Sequence, residues 1–395
     1  REVLKHIVEG GRIFAAWADE DWTQDGAAVR VSMTCFDATK ASPASLNGTT
    51  VPQIHADLTG AGQGTDLTKA RPLKENVGQC FEGMKKYGPF EVDGELARQW
   101  LVAPQNVNGR PNSDVVKPWI AGRDITTRPQ DRWVIDFGVT CSEEDAACFE
   151  LPFAHLAENA RDLREKDRSN KTASNWWLFE RSRPPLRARI KELRRYLATV
   201  VVSKHRLFAW LPTSVLPSNL LDAIARDDDT SFGILHSKFH ELWALRMGTF
   251  LGVGNDPRYT PSTTFETFPF PGGLTPNIPA TDYATDPHAQ KIAAAAARLN
   301  ELRENWLNPA DQVIRVPEVV PGYPDRILPK DEAAAKVLKL RTLTNLYHQR
   351  PTWLQNAHAA LDEAVAEAYG WGDDWRAGKL TEDEILARLF KLNQE

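Results

Sequence analysis

Apolar residues in the middle of the chain recur at helical intervals. Phe232, Leu235, Phe239, Leu242, Trp243 and Met247 fall on one face, which predicts a single amphipathic helix ending at Gly248, with His236, Lys238, Glu241 and Arg246 turned elsewhere. Just upstream, Val200–Val202 and the group Leu207, Phe208 and Trp210 have the β-branched and aromatic composition of strands. The polar run Ser203, Lys204, His205, Arg206 lies between them. Downstream, Asp256-Pro257-Arg258-Tyr259-Thr260-Pro261 must be extended or turned, because proline lacks a donor and biases its predecessor away from helix. Basic and hydroxyl groups thus stand at the joints of the segment Thr199–Pro271.

The remaining pattern divides the chain. Residues 1–9 read as the end of a helix, and Arg12–Trp17 and Ala27–Phe36 as strands. A Gly-, Thr- and Ser-rich stretch, 39–73, reads as hairpins or linker. Gly94–Trp100 reads as a short helix, Val115–Ile120 as apolar strand or turn, Trp133–Phe137 as a strand, and 149–171 as helical. Between those two strands, Gly122–Pro129 forms a tight connector. The pair Trp176-Trp177 suits a domain core better than base stacking. Composition changes at 271–287, and helices are expected over 290–306, 330–349, 351–369 and 381–392, the last with Thr381 and Glu384 at capping-box spacing.

Composition is that of an ordinary globular chain, 42% hydrophobic and 26% charged over 395 residues, a length suited to two or three domains. No apolar run approaches the roughly 18 residues of a membrane span, so no membrane partner and a cytoplasmic setting are expected. Cys35, Cys80, Cys141 and Cys148 are scattered without a CxxC pair and read as free thiols. Net charge is −5, yet residues 161–206 hold fourteen Lys or Arg against five acids, +9 locally. Such a segment matches a phosphate-neutralising footprint, and an ion-paired helix face is the competing explanation. Arg194 and Arg195 close the part of it poorest in acids.

In the connector, Arg123, Asp124, Thr126, Thr127 and Arg128 combine groups able to read bases or hold phosphates, and a capping role for Asp124 is the alternative. Together with Ser203, Lys204, His205, Arg206, Arg258, Tyr259 and Thr260 they are the candidate DNA-facing residues. His236 and His240 share a helix face at i, i+4, but no third ligand is marked and no metal is expected. The cluster Gly60–Gly64 follows no convincing strand and reads as a loop.

Three stretches carry a family resemblance: FGILHSKFHELWALRMGTFLGVGNDPRYTPSTTFETFPFP, NGRPNSDVVKPWIAGRDITTRPQDRWVIDFG and IFAAWADEDWTQDGAAVRVSMTCFD. Together they resemble the carboxy-terminal part of the MmeI-like DNA adenine-N6 methyltransferases of restriction-modification and phage-defence systems. The resemblance implies an α+β chain: residues 1–70 would be the last strands of a Rossmann-like methyltransferase sheet with a linker, 71–275 a mixed α/β target-recognition domain, and 285–395 a helical carboxy-terminal domain. It also implies double-stranded DNA and an upstream methyltransferase domain as partners, with S-adenosyl-L-methionine as the cofactor of the full-length parent. The family's (Asn/Asp/Ser)-Pro-Pro-aromatic motif is missing, since the sole Pro-Pro, Pro184-Pro185, lies between Arg183 and Leu186. No catalytic residue and no cofactor are therefore expected for this chain by itself. An interaction module that binds an acidic protein is the alternative.

Overall fold

A computed structural model describes residues 2–24, 27–60, 66–166, 173–251 and 256–395. Most of the Gly60–Gly64 cluster, and Asp167, Arg168 and Lys171 of the basic segment, lie outside the described residues.

Helix α1 (Glu2–Gly10) leads into a long antiparallel hairpin of β1 (Arg12–Gln24) and β2 (Ala27–Asp37). Strands β3 (Ala44–Leu46) and β4 (Thr49–Val51) complete a sheet of order β2-β1-β3-β4, in which β3 runs parallel to β1 at Ala15–Ser45 and Ala16–Leu46. This part is a mostly antiparallel sheet with its own small core of Ile13, Ala16, Leu46, Val51 and Ile54, on which Leu4 and Ile7 of α1 pack.

Two further four-stranded sheets follow. One holds β5 (Cys80–Glu82), β9 (Arg195–Val200), β10 (Phe208–Pro212) and β12 (Leu221–Ile224) in the order β10-β9-β12-β5. The other holds β6 (Glu91–Asp93), β7 (Val116–Ile120), β8 (Arg132–Ile135) and β11 (Leu216–Pro217) in the order β11-β7-β8-β6. Helices α2 (Gly94–Leu101), α3 (Gly122–Thr126), α4 (Glu150–Glu165) and α5 (Pro184–Ile190) surround them. Trp176 and Trp177 are buried, and their indole N–H groups donate to the Glu143 carboxylate and the Cys141 carbonyl, which makes them core.

The long helix expected over 232–247 is two helices, α6 (Asp229–His236) and α7 (Lys238–Met247), broken at Ser237. Ser237 is extended (φ −71°, ψ 156°), and its hydroxyl donates to the Ile234 carbonyl at 2.7 Å. The new helix start is capped from a distance, because the Asp362 carboxylate accepts from Lys238 N at 2.7 Å. Periodicity continues across the break because both helices bury the same kind of face. After α7 comes a two-stranded ribbon of β13 (Thr249–Leu251) and β14 (Asp256–Arg258).

The tail comprises α8 (Pro287–Leu307), a hairpin of β15 (Val313–Val316) and β16 (Arg326–Pro329), then α9 (Glu332–Leu340), α10 (Leu343–Gln349), α11 (Thr352–Ala368) and α12 (Glu382–Gln394). The helix expected over 330–349 is divided at Arg341-Thr342, where the Thr342 hydroxyl caps α10 by accepting from Asn345 N. One apolar core runs from Leu67 to Leu389, so the tail shares the interior of the sheets instead of forming a separate bundle. Gly233 marks a tight crossing: a Cβ there would lie 2.6 Å from Ile292 of α8 and 3.0 Å from Leu361 of α11. The Asn393 amide closes the chain by bonding Arg71 O and Thr267 O, each at 2.8 Å. Among the described residues, no helix is long and apolar enough to cross a membrane.

Candidate nucleic-acid interface

The interface is built around the end of β9. Past Val200 the chain stays extended, with Val201 N bonding Leu220 O at 2.9 Å and Tyr259 N bonding Val201 O at 2.7 Å. Ser203 N reaches Pro257 O, and Val202 bridges to Arg258, so β14 is annealed onto residues 201–203. From the other side α3 packs on β9. A Cβ on Gly122 would sit 3.0 Å from Val200 Cγ1, so glycine at this position permits the close approach. Three segments distant in sequence, 122–128, 203–206 and 258–260, thereby meet at one end of the sheet.

Several of the expected DNA-facing residues are drawn into this framework. Asp124 is buried, and its carboxylate accepts from Ala121 N at 2.8 Å, Gln130 N at 3.0 Å and the Arg132 guanidinium at 2.8 Å; it caps α3 and is not offered to a partner. Arg128 donates to the carbonyls of Leu307 and Arg341 and to the Asn308 side chain, locking the connector onto the tail. Arg206 is buried, donating to the Thr199 hydroxyl and to the carbonyls of Val200 and Pro257, with Tyr259 beneath it at 4.8 Å. Burial pushes its guanidinium down to about 10. Tyr259 is itself buried and bonded to His240. Thr126 and Thr127 turn their hydroxyls back onto the carbonyls of Gly122 and Arg123.

Arg194 and Arg195 stand at the opposite end of β9 and do not join this face. Arg195 lies over the Trp210 ring at 3.7 Å and bonds Asp229, while Arg194 is exposed near Asp227. Much of the described part of the basic segment is committed to partners within the protein. Arg161 pairs with Glu165, Arg183 with Glu82 and Arg187 with Asp136, and Arg164 is buried on the carbonyls of Lys86 and Tyr87. Its +9 charge therefore overstates the phosphate footprint.

What remains outward is compact. Arg123, Thr127, Lys204 and Arg258 are exposed, and Ser203, His205 and Thr260 half-buried. The tail adds His348, from the stretch expected as a helix over 330–349, and Arg350, which follows that stretch. The Thr344 hydroxyl of α10 bonds Thr126 O, and the His348 ring packs on His205 at 4.9 Å, with Arg350 following. Burial, then His348, Lys204 and Arg350, hold His205 below the usual histidine range. Among the described residues, Arg123, Lys204, Arg258 and Arg350 form no ion pair with a carboxylate. A surface that gathers unpaired cations in this way is suited to a polyanion.

The two helical histidines serve the interior. His236 donates from Nδ1 to Phe232 O, and its Nε2 accepts from Phe208 N and Arg303. His240 donates from Nδ1 to Leu235 O, and its Nε2 accepts from the Tyr259 hydroxyl. With both ring nitrogens used in each, neither offers a lone pair to a metal.

This outward set of cations and hydroxyls stands on an α/β frame, and residues 100–272 match the family described as MmeI, target recognition domain. The resemblance carried by the sequence is thus borne out over that segment. The fold of 98% of the chain also matches 46% of the chain in a solved structure of the Type IIL restriction-modification enzyme MmeI in complex with DNA, at a TM-score of 0.67 and 20% identity. This chain thus spans about half the length of that relative. No curated protein matches the sequence.

Proposed function

We propose that this chain reads a short sequence in double-stranded DNA for a SAM-dependent adenine-N6 methyltransferase of a restriction-modification or phage-defence system in the cytoplasm. The observation that carries the reading is the meeting of Arg123, Ser203, Lys204 and Arg258 at one end of β9, with His348 and Arg350 beside them. Lysines, hydroxyls and Arg350 would hold the backbone, while Arg123 and Arg258 would reach base edges. Methyl transfer is assigned to a part of the parent protein outside these residues. In the described part of this chain no Gly-rich turn follows a parallel strand, as a Rossmann-like nucleotide site requires. The test is enrichment of a random duplex library on this chain at physiological salt, followed by competition between the winner and a scrambled duplex. One enriched motif, with preference over the scrambled sequence, is expected. Salt-sensitive retention without preference would overturn sequence reading, and absence of retention would turn attention to an acidic protein partner.

A further inference from the structure

Away from the cationic face, at the other end of β9, a cavity of about 440 Å³ lies between β10, helix α8 and the hairpin β15–β16. Strand β10 is an edge strand, paired with β9 on one side only. In an antiparallel pair successive residues turn their main-chain groups to opposite sides. Phe208 turns outward, its N–H donating to His236 and its carbonyl accepting from Arg303, and the Pro212 carbonyl outward to Val215 N. Trp210 lies between them in the same phase, so its N–H and C=O face the open edge, and among the described residues neither has a partner. Its buried indole N–H is unpartnered as well. Arg195 covers one face of the ring at 3.7 Å and Phe232 stacks on it at 5.3 Å, so a ligand can meet only the ring edge and the main chain.

The walls hold more cation than counter-charge. Arg303 is 3% exposed and, among the described residues, forms no ion pair with a carboxylate; it donates to His236 and to Phe208 O, and its Nε has no partner. A buried cation without a counter-charge is costly to keep. Arg315 of β15 is exposed and the Asn300 amide half-buried, and among the described residues neither is bonded. Arg195 spends its Nε and Nη2 on Asp227 O and Asp229 and keeps Nη1. Two carboxylates share the lining, Glu304, which accepts from Asn308, and Asp325.

We infer that this cavity binds a small sugar phosphate, whose phosphate is held by Arg315, Arg195, the Asn300 amide and the N–H groups of Trp210. These donors outnumber what the two oxygens of a carboxylate accept, whereas a phosphate ester presents three strongly accepting oxygens and a charge of about −1.5 to −2, the counter-charge that Arg303 lacks. The acceptors left over, Trp210 O and the carboxylates of Glu304 and Asp325, require donors on the same molecule, which sugar hydroxyls supply. The site is independent of the DNA-reading face, from which the length of β9 separates it.

The experiment titrates the full chain calorimetrically with ribose 5-phosphate, inorganic phosphate and ribose, and repeats the series on Arg315→Glu. Ribose 5-phosphate is expected to give saturable heat, about tenfold or more weaker in the variant, and ribose none. Because Arg315 is exposed, the thermal midpoint of the unliganded variant should equal that of the wild-type chain, and its affinity for duplex DNA should be unchanged. Absence of heat from both phosphates at millimolar concentration, or binding that Arg315→Glu leaves untouched, would overturn the site. Inorganic phosphate binding as tightly as the ester would overturn the sugar phosphate in favour of the free ion. Loss of duplex affinity in the variant, with no heat from ribose 5-phosphate in the wild-type chain, would overturn it in favour of a DNA backbone phosphate.

Discussion

Two arginines that look equivalent in sequence should fail in opposite ways. Arg206→Ala removes a guanidinium that donates to the Thr199 hydroxyl and to the carbonyls of Val200 and Pro257. Hydrogen bonds to a charged group contribute about 1.5–3 kcal/mol each. Against this stands the desolvation that brings the group down to about 10 from the usual arginine range, about 3 kcal/mol against the charged form. The balance leaves a loss of about 3 kcal/mol in folding stability, since the orphaned acceptors remain buried. Arg258→Ala, at an exposed position, should change stability by less than about 0.5 kcal/mol and weaken binding to the preferred duplex by about 1–3 kcal/mol. Denaturant unfolding followed by circular dichroism measures the first quantity, and competition between preferred and scrambled duplex the second. Wild-type stability of Arg206→Ala together with lost duplex preference would refute this placement, because the side chain would then face DNA and not the β14 carbonyls.

Three further outcomes follow from the packing and the charges. Burial holds His240 down to about 3, below the 6.5 of an exposed histidine. Its stabilising contribution is therefore complete above pH 6.5 and lost as pH falls, by about 2 kcal/mol at pH 5. The stability penalty of His240→Gln should accordingly shrink by that amount between pH 7 and pH 5 in parallel denaturant titrations. Gly233→Ala presses a methyl against Ile292, Ala296 and Leu361 and should cost about 1–3 kcal/mol, read as a lowered denaturation midpoint. Lys204→Gln with Arg350→Gln, if both side chains touch phosphates, should make the slope of log affinity against log salt shallower by about 2; an unchanged slope would exclude them as phosphate contacts.

Much of the fold was legible along the chain because local patterns reflect local constraints. Thr381 accepts from Glu384 N as the capping spacing implies, and Trp176-Trp177 is core. The strands around Val116–Ile120 and Arg132–Ile135 lie where β-branched and aromatic residues cluster. The break at Ser237 was not legible, since the group that caps the second helix, Asp362, lies 124 residues away. Nor was the fate of the basic segment: Arg183 and Arg187 look free in sequence, and only folding brings Glu82 and Asp136 to them.

For the candidate site the division is sharper. Sequence alone determined which kinds of group would stand at the joints of the central segment, since proline, glycine and polar interruptions dictate where strands and helices can end. Tertiary structure decided which of them face outward. Asp124, Arg206 and Tyr259 went inside because buried carbonyls, amides and a histidine there require partners. His348 and Arg350 joined the face because α10 docks on α3 through the Thr344–Thr126 bond. Side-chain type is a property of the residue, whereas availability depends on which polar groups the fold brings within hydrogen-bonding reach, and those come from segments far apart in the chain.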